Sequence, residues 1–264
     1  MQIFGINAII SGGAGGIGQA CCRMLLEEGA TRVGVLDKDP VKLRTMVDLL
    51  AKEFGKDRIL PLHVDIRNVD QIDQAVDLFH AHAGALHLII CNAGVLLDGA
   101  IYALTYRGES KYPKEKWNET LDTNLSGAFH LTQASLKYLL QNKTASPDAG
   151  NGCRGLIIII SSISRLGRAG QVAYSSSKGG LISFSLSLAQ ELAFYKIRCV
   201  AIAPGLVDTP MAGQIPEIYQ KSMIDRVLVH RLARPAEIAH GIKFCIENEY
   251  FNGRILELDG GILA

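Results

Sequence analysis

The stretch IISGGAGGIGQA, residues 9–20, runs from a short apolar segment into a glycine cluster and then into a helix-forming segment. Its spacing is Ser11-Gly12-x-x-x-Gly16-x-Gly18. Gly12 permits a tight turn, Gly16 lets the backbone approach a pyrophosphate, and Gly18 allows a helix to pack closely on a strand. The start of that helix would offer free N–H groups and the positive end of its dipole to phosphate. No Gly-Lys-Ser/Thr is present there, which excludes a mononucleotide P-loop.

The acidic residue that ends the second predicted strand supports a dinucleotide site. Asp37 lies 19 residues beyond Gly18, close to the ~20 expected for a carboxylate that hydrogen-bonds the adenine ribose. A glycine cluster alone is also typical of a plain βα turn, so the prediction depends on the strand before it, the helix after it and this carboxylate together. Because a carboxylate repels a 2′-phosphate, Asp37 favours NAD over NADP, and Lys38 slightly weakens that preference.

Short apolar runs alternate with segments of helical period along the whole chain. The predicted strands are almost continuously apolar, as expected for strands buried on both faces: Gly5–Ser11, Arg32–Leu36, Arg58–His63, Leu86–Cys91, Leu156–Ser161, Arg198–Ala203 and Arg254–Leu258. The predicted helices are Ile17–Glu28, Pro40–Phe54, Val69–Ala83, Lys114–Gln141, Tyr174–Tyr195 and Pro235–Glu247. This alternation predicts one α/β domain over residues 1–264, a Rossmann fold whose doubly wound parallel sheet of about seven strands carries helices on both faces.

Two stretches, residues 95–117 and 205–234, interrupt this alternation. Both contain glycine and proline, and the second includes a helical piece, EIYQKSMIDRVL, at residues 217–228. Long irregular loops in a compact domain usually act as lids or binding loops, and these two begin where strands end. We therefore predict an active-site loop at about residues 95–117 and a substrate lid at about 205–234.

Composition limits the classes of partner. The net charge is +1, which gives no electrostatic reason to expect nucleic acid or an anionic membrane, so a small-molecule substrate is expected. No apolar run approaches the ~18 residues of a membrane span, and no leader is visible before the first strand.

The cysteines and histidines indicate neither a disulfide framework nor a metal site. Six cysteines without a CxxC motif are typical of free thiols in a reducing compartment. The cytoplasm is therefore expected, with the mitochondrion as the alternative. His80, His82 and His87 are close in sequence, but histidines near a helix C-terminus are usually dipole partners or solvated. No metal is predicted.

The stretch AYSSSKGG, residues 173–180, places Tyr174 and Lys178 four residues apart, on one face of a predicted helix. A tyrosine titrates near 10, so a general base near neutral pH needs ~4 kcal/mol of preferential phenolate stabilisation, and a nearby ammonium supplies part of it. The strand before it ends in Ser161 and Ser162, whose hydroxyls would hold a substrate oxygen. The three serines inside the stretch are interpreted as spacers. Alone, the pair is also typical of a solvated helix face, so this prediction depends on the nucleotide site beside it.

Taken together, these motifs resemble the short-chain dehydrogenase/reductase family, in the family's order and from Ile6 to Gly261. The family's Asn-Asn-Ala-Gly motif departs at one position, where Cys91 begins CNAG. The family's threonine in the glycine motif is Ser11 here. The motifs that carry the resemblance are SGGAGGIG, CNAG at residues 91–94, DTNLSG around Asn124, the strand-end serine, YSSSK, and APGLVDTP at residues 203–210.

The resemblance implies a role for each matched residue. Tyr174 would be the acid/base, and Lys178 would lower its pKa and bind the nicotinamide ribose. Ser161, 13 residues before Tyr174, would bind the substrate oxygen, with Ser162 as the alternative. Asn124 would hold a water that links Lys178 to solvent. Asp65 and Ile66 would contact adenine, and Thr209 would contact the nicotinamide carboxamide. The NAD site implied by the resemblance consists of Gly12, Gly16, Ile17, Gly18, Asp37, Asp65, Ile66, Asn92, Ala93, Gly94, Tyr174, Lys178, Pro204, Gly205, Val207 and Thr209.

Two further stretches suggest the substrate. YFNGRILELDGG (250–261) and IYALTYRGESKYPKEKW (101–117) resemble the type II 3-hydroxyacyl-CoA dehydrogenases within the family. The alternatives are a hydroxysteroid or 15-hydroxyprostaglandin-type dehydrogenase and, more remotely, a non-catalytic NAD-binding scaffold. Within residues 101–117, an insertion that resembles one in that group, four basic residues would either contact a CoA phosphate or simply be solvated: Arg107, Lys111, Lys114 and Lys116. The apolar residues of PEIYQKSMIDRVL (216–228) suit any of these substrates. The resemblance also implies a homodimer or homotetramer.

Overall fold

Nine strands were identified in a computed structural model that describes residues 1–105, 108–142, 152–215 and 217–262. They are β1 (Asn7–Ser11), β2 (Arg32–Asp37), β3 (Ile59–His63), β4 (Leu88–Cys91), β5 (Tyr102–Thr105), β6 (Gly108–Lys111), β7 (Gly155–Ile160), β8 (Ile197–Pro204) and β9 (Ile255–Leu258). The helices are α1 (Gly16–Glu27), α2 (Pro40–Phe54), α3 (Val69–Ala83), α4 (Lys114–Leu121), α5 (Gly127–Gln141), α6 (Val172–Leu192), α7 (Glu217–Ile224) and α8 (Pro235–Glu247).

Seven of these strands form one sheet in the order β3-β2-β1-β4-β7-β8-β9, and every neighbouring pair is parallel. Ser11 at the end of β1 is paired with Leu36 on one side and with Cys91 on the other, so three strands end level at one edge. The strand order reverses direction between β1 and β4, which opens a crevice at their carboxyl ends. The predicted doubly wound parallel sheet of seven strands is confirmed.

The sheet is buried on both faces because its strands carry apolar side chains at successive positions. Ile9 and Ile10 are both fully buried, yet they belong to different clusters, since successive side chains of a strand point to opposite faces. Ile10 packs in the cluster that contains residues of α1, α2 and α8, including Leu25. Ile9 packs in the cluster of α3, α5 and α6, including Phe79. The crevice therefore lies between two rigid layers of helices.

Three local features differ from the sequence predictions. The single helix predicted over Lys114–Gln141 is two helices, α4 and α5, joined by a π-helical turn at Asp122–Ser126. The predicted loop at 95–117 contains the antiparallel hairpin β5–β6, which the sequence did not indicate because most of its residues are exposed. Helix α7 ends at Ile224, four residues before the helical segment predicted to reach Leu228. In the described part of the chain, no helix combines the length and apolarity needed to cross a membrane.

Candidate active site

A cleft of about 320 Å³ lies at the carboxyl edge of the sheet. One side, here called the strand-end half, is formed by residues at or shortly after the ends of β1, β2 and β4: Gly12, Gly16, Asp37, Asn92 and Gly94. The other side, here called the loop half, is formed by Leu96, Arg168, Gln171, Met211, Ile215 and Met223. Between the halves lie Ser161, Ser162, Tyr174 and Lys178. The cleft also includes the predicted residues Ile17, Ala93, Pro204, Gly205, Val207 and Thr209.

The glycines of the first loop are required by close backbone contacts. Gly12 has a φ of +63°, and a Cβ there would lie 2.8 Å from the Cα of Ala93. A Cβ on Gly16 would lie 2.7 Å from Cγ2 of Thr209, and one on Gly18 would lie 2.4 Å from the carbonyl oxygen of Gly12. Gly18 is thus a packing residue behind the cleft, whereas Gly16 leaves room in front of helix α1.

The start of α1 is suited to a phosphate. No side chain caps it, and Gly16 and Ile17 of its first turn line the cleft. The amide groups of that turn are therefore available to an anion, and the helix dipole favours one. A dinucleotide pyrophosphate fits this cradle.

A hydrogen-bonded clamp joins the ends of β1 and β4. The Ser11 hydroxyl accepts from the N–H groups of Asn92 (3.1 Å) and Ala93 (3.2 Å). The Asn92 side chain donates to the carbonyls of Ser11 (3.2 Å) and Gly12 (2.9 Å). Ser11, a departure from the family's threonine, supplies a hydroxyl that holds both strand ends. Asn92, predicted as a cofactor residue, uses its side-chain nitrogen to hold the start of the glycine loop.

Asp37 stands at the end of β2 with its carboxylate held in place. One oxygen accepts from the N–H of Ala14 and the other from the N–H of Asp39, both at 3.1 Å. The side chain therefore borders the glycine loop, in the position expected of a carboxylate that meets a ribose. Lys42, from the first turn of α2, also lines the cleft, with its ammonium 3.3 Å from Asp39.

A second, smaller cavity of about 100 Å³ continues from Asp37. Asp65 and Ile66, predicted to contact adenine, line it together with Thr123. The Asp65 carboxylate accepts two-pronged hydrogen bonds from Arg67, the shortest at 2.6 Å, and this guanidinium holds the pKa of Asp65 below its ordinary value. The cavity has the place and the flat apolar wall that an adenine needs.

Lys178 is buried in the middle of the cleft floor. Only 3% of it is exposed. Its ammonium donates to the carbonyl of Ile160 at 2.7 Å, and it lies 5.6 Å from the ring centre of Tyr174. Burial lowers the pKa of Lys178 from 10.5 to about 8.

Contrary to the prediction from the Tyr-x-x-x-Lys spacing, the protein raises the pKa of Tyr174. Burial is the largest cause, a hydrogen bond with Ser162 opposes it, and the negative charge of Asp98 adds to it. Lys178 contributes little because its ammonium is directed to the Ile160 carbonyl. Tyr174 is therefore held as a neutral phenol by the residues around it.

The two strand-end serines have different partners. The Ser161 hydroxyl donates to the carbonyl of Lys178 at 2.8 Å, which ties β7 to α6. The Ser162 hydroxyl lies by the Tyr174 phenol, whose pKa it lowers, and accepts from the N–H of Ser164 at 3.1 Å. These contacts favour Ser162, the alternative named from the sequence, because strand β7 ends at Ile160 and the turn that follows brings the second serine to the phenol.

Asn124 lies behind the cleft, in the π-helical turn, and is 1% exposed. Its side-chain oxygen accepts from the N–H of Val95 (2.8 Å), and its nitrogen donates to the Val95 carbonyl (3.0 Å) and to the Ser177 hydroxyl (3.1 Å). Ser177 in turn donates to the Tyr174 carbonyl at 2.7 Å. Asn124 therefore connects the chain after β4 to the Tyr174 helix, and Ser177 is a connecting residue rather than the predicted spacer.

The absence of a side chain at Gly94 lets the backbone lie close to the side chains of both Asn124 and Lys178. A Cβ on Gly94 would lie 3.3 Å from the side-chain oxygen of Asn124 and 3.6 Å from the Lys178 ammonium. A glycine there lets the chain pass between the two side chains and line the cleft. Similarly, a Cβ on Gly205 would lie 2.7 Å from the Cα of Asp259, so this residue is needed where the chain turns away from β8.

The loop half is apolar except for a short polar row that the sequence did not reveal. The Gln171 side chain accepts from the Ser164 hydroxyl at 2.9 Å and donates to Asp98 at 3.0 Å. Arg168 lies beside it. The basic residues of the insertion do not line this cleft: Lys111, Lys114 and Lys116 are exposed, whereas Arg107 and Pro216 are outside the described residues.

The histidines singled out in the sequence have separate structural partners. His80 stacks on Tyr138 with ring centres 3.9 Å apart, and Nδ1 of His87 accepts from the N–H of Asn7 at 3.1 Å. Burial lowers the pKa of His87. Among the residues that the structure describes, no three His, Cys, Asp or Glu side chains are grouped to hold a metal ion.

Comparisons with known proteins define the class to which this site belongs. The family model of the short chain dehydrogenases matches residues 7–220. The chain belongs to the short-chain dehydrogenase family. It is therefore an oxidoreductase that interconverts an alcohol and a carbonyl compound with a nicotinamide dinucleotide, which confirms the predicted family and enzyme class.

Individual relatives share the whole chain. A 3-hydroxyacyl-CoA dehydrogenase type-2 of Homo sapiens is 34% identical over 263 residues, which cover 99% of this chain and 96% of the relative. A 3-oxoacyl-(acyl-carrier-protein) reductase of Thermotoga maritima is 28% identical over 268 residues and covers 100% of both chains. The crystal structure of a 3-hydroxyacyl-CoA dehydrogenase type-2 from Mycobacterium avium matches with a TM-score of 0.86 and 27% identity, covering 98% of this chain and 96% of that one.

Proposed function

We propose that this protein is an NAD-dependent dehydrogenase that interconverts the 3-hydroxy and 3-oxo groups of an acyl thioester. The observation that carries the proposal is the placement of Tyr174 next to Ser162 and to the buried Lys178, between the glycine loop and the apolar loop half. The relatives named above are, by their names, enzymes of hydroxyacyl and oxoacyl thioesters.

The chemistry divides among three side chains. The Ser162 hydroxyl holds the substrate oxygen beside the Tyr174 phenol. In the reductive direction the neutral phenol donates its proton to that oxygen and becomes a phenolate, and in the oxidative direction the phenolate takes the proton from the alcohol. A bound nicotinamide supplies hydride acceptance and donation. Lys178 positions the ribose with its buried ammonium.

NAD is proposed over NADP because of Asp37. Its carboxylate is anchored by two backbone amides at the end of β2, so it cannot swing away from a 2′-phosphate without losing both hydrogen bonds. Lys38 and Lys42 lie nearby and reduce the penalty. The remaining predicted cofactor residues surround the cleft or its adenine-sized extension, except Gly18, which supports the loop from behind.

The substrate is held by the two irregular stretches. We assign residues 95–117 as the active-site loop and 205–234 as the lid of a single domain, since Leu96, Met211, Ile215 and Met223 from these stretches form the apolar wall. A wall of aliphatic and methionine side chains adapts to many apolar shapes. This wall favours one alternative, a hydroxysteroid or 15-hydroxyprostaglandin-type dehydrogenase.

A substrate panel tests the proposal. The purified enzyme is assayed with acetoacetyl-CoA and NADH, and with a 3-hydroxysteroid, a 17-hydroxysteroid and a 15-hydroxyprostanoid and NAD. The proposal expects acetoacetyl-CoA to give the highest kcat/KM. Turnover of a steroid or prostanoid without reduction of acetoacetyl-CoA would show that the alternative is correct.

We propose a homodimer or homotetramer located in the cytoplasm, with the mitochondrion as the alternative. Phe129 of α5 is 44% exposed and makes an edge contact with Phe184 of α6, so these helices present an aromatic face. The six cysteines are free thiols, which supports a reducing compartment. Light scattering of the wild type and Phe129→Glu tests assembly, and cell fractionation tests the compartment.

A further inference from the structure

Arg168 is the charged residue of the loop half. It lies between the turn at Ile163–Leu166 and helix α6, and its side chain lines the cleft that also contains Tyr174. The residue is half-buried. Within the described part of the chain, its guanidinium forms neither a hydrogen bond nor a salt bridge. A cation held partly out of water with no such partner is unfavourable unless a ligand supplies the anion.

The charged groups around Arg168 do not fully balance the positive charge of its guanidinium. Arg226, two residues beyond the end of α7, adds a second positive charge, and Asp98, in the chain after β4, adds a negative one. The Asp98 carboxylate already accepts a hydrogen bond from Gln171 at 3.0 Å. Burial and Arg226 lower the pKa of Arg168, and Asp98 raises it. Its ordinary value of 12.5 is high enough that the guanidinium stays cationic.

We propose that Arg168 binds an anionic group of the substrate and thereby positions the carbonyl at Tyr174, with Arg226 strengthening the local positive charge. This inference rests on the proposed function and specifies its substrate class. A guanidinium presents a planar fork that fits a carboxylate or a phosphate with two parallel hydrogen bonds. Two sources share this chemistry, the phosphates of a coenzyme A thioester and a free carboxylate on the substrate.

The placement of Arg168 suits such a role. Gln171 and Ser164 form the adjoining polar row, and Met223 and Ile215 form the opposite apolar wall. A substrate with an acidic end and an apolar body would therefore meet both surfaces at once. Arg44 is an exposed residue of α2 that lines neither cavity, so it offers a matched comparison for nonspecific charge effects.

The test compares charged and neutral 3-oxo substrates in Arg168→Gln, Arg168→Lys and the control Arg44→Gln. The substrates are acetoacetyl-CoA, which carries phosphates, acetoacetate, which carries a carboxylate, and the N-acetylcysteamine thioester of acetoacetate, which carries no charge. For Arg168→Gln we expect the KM of at least one anionic substrate to rise about 10–100-fold relative to that of the neutral thioester, as for loss of a charge-assisted hydrogen bond. Arg168→Lys should recover part of this difference, and Arg44→Gln should match the wild type.

The outcomes separate the two proposals. A rise confined to acetoacetyl-CoA assigns the phosphates, and a rise confined to acetoacetate assigns a carboxylate. Equal changes for neutral and anionic substrates, or no change for any, would overturn the role of Arg168. The proposed function is tested by the wild type alone. If it reduces neither thioester but does reduce acetoacetate, the thioester proposal fails, and acetoacetate compared with its uncharged ethyl ester then decides the role of Arg168.

Discussion

The two halves of the cleft are built in different ways. The strand-end half consists of residues that follow β1, β2 and β4 within one or a few positions, and it is held by backbone contacts such as those of Gly12 with Ala93. The loop half comes from three separate stretches of chain, and its surface is made of side chains such as Met211 and Met223. Under the proposed function, the cofactor is thus bound by rigid elements and the substrate is selected by loops.

Between them lies a catalytic floor that belongs to both halves. Tyr174 and Lys178 come from one helix, whereas Ser162 comes from the turn after β7. Ser162 and Lys178 are buried and Tyr174 is partly buried, so each polar group of this floor has a large energetic effect. Four predictions would break or sharpen the contrast between the halves, and they are given from the largest expected effect to the smallest.

Tyr174→Phe removes the proton donor while it keeps the buried ring. We expect kcat to fall by about 10³–10⁴-fold, because no other described hydroxyl takes the place of the phenol. The measurement is NADH oxidation with the best substrate of the panel, with melting temperature as a check of folding. Tyr138→Phe is the matched control, since that phenol donates to Asp77 at the surface. Equal rates for Tyr174→Phe and wild type would remove the basis of the mechanism.

Ser162→Ala and Ser161→Ala form a pair that tests which serine binds the substrate oxygen. Ser162→Ala should lower kcat by about 10²-fold, because it removes a hydrogen-bond donor to the substrate oxygen. Ser161→Ala should leave kcat within a few-fold of wild type but lower the free energy of unfolding by about 1 kcal/mol, since its hydroxyl bonds only the Lys178 carbonyl. Urea unfolding and steady-state kinetics separate the two effects, and a reversed pattern would restore the count-based assignment.

Lys178→Met should make the protein more stable but inactive. Burial of the ammonium lowers its pKa from 10.5 to about 8, which corresponds to a penalty of about 3 kcal/mol while the proton is held. Below pH ~8 both the folded and the unfolded wild type hold that proton, so the penalty is complete. Between pH ~8 and ~10.5 the unfolded chain binds more protons, so the penalty disappears as pH rises. The variant's advantage should therefore be greatest at pH 7 and small at pH 10.

The effect of Lys178 is read from the difference in the free energy of unfolding between wild type and Lys178→Met, because other groups also change the stability of both proteins with pH. Burial raises the pKa of the Cys21 and Cys91 thiols to about 12. Both proteins therefore lose stability above pH ~9, where unfolded thiols ionise. Urea unfolding of wild type and Lys178→Met at pH 7, 8.5 and 10 isolates the lysine. A variant less stable than wild type at pH 7 would mean that the hydrogen bond to Ile160 outweighs the desolvation.

Asp37→Asn tests whether charge in the strand-end half selects the cofactor. The amide oxygen keeps one acceptor of the anchoring hydrogen bonds but removes the negative charge. We expect the ratio of kcat/KM for NAD to that for NADP to fall about tenfold, as two like charges ~4 Å apart near a surface repel by about 1–4 kcal/mol. Lys42→Gln is the complementary variant and should shift the ratio towards NAD. An unchanged ratio for Asp37→Asn would show that another residue sets it.

Much of the fold could be predicted because buried strands and amphipathic helices leave a periodic apolar pattern. The seven strands of the main sheet lie where short apolar runs occur, with ends shifted by a few residues. The π-helical turn at Asp122–Ser126 could not be predicted, since one extra residue in a helical turn leaves composition and period almost unchanged. The hairpin β5–β6 was missed because the residues GESK of β6 are all exposed and show no alternation.

The residues of the candidate site likewise divide into those that the sequence could predict and those that it could not. Gly12, Gly16 and Asp37 follow their strands directly, so their relative positions depend on local spacing and on the shared sheet edge. The choice between Ser161 and Ser162 depends on where β7 ends and on how the turn meets α6, which a residue count cannot express. No local sequence pattern indicated a role for Arg168 and Gln171, because the side chains around them come from segments distant in sequence.

The sequence by itself therefore determined the class of fold, the candidate dinucleotide site and the spacing of the Tyr174–Lys178 pair, because each depends on spacing within one element or on the ends of adjacent strands. Only the tertiary structure decided which serine meets the phenol, why Tyr174 keeps its proton, and where the loop half carries positive charge. The physical reason is that burial and hydrogen-bond partners set these properties, and both arise when distant segments pack together.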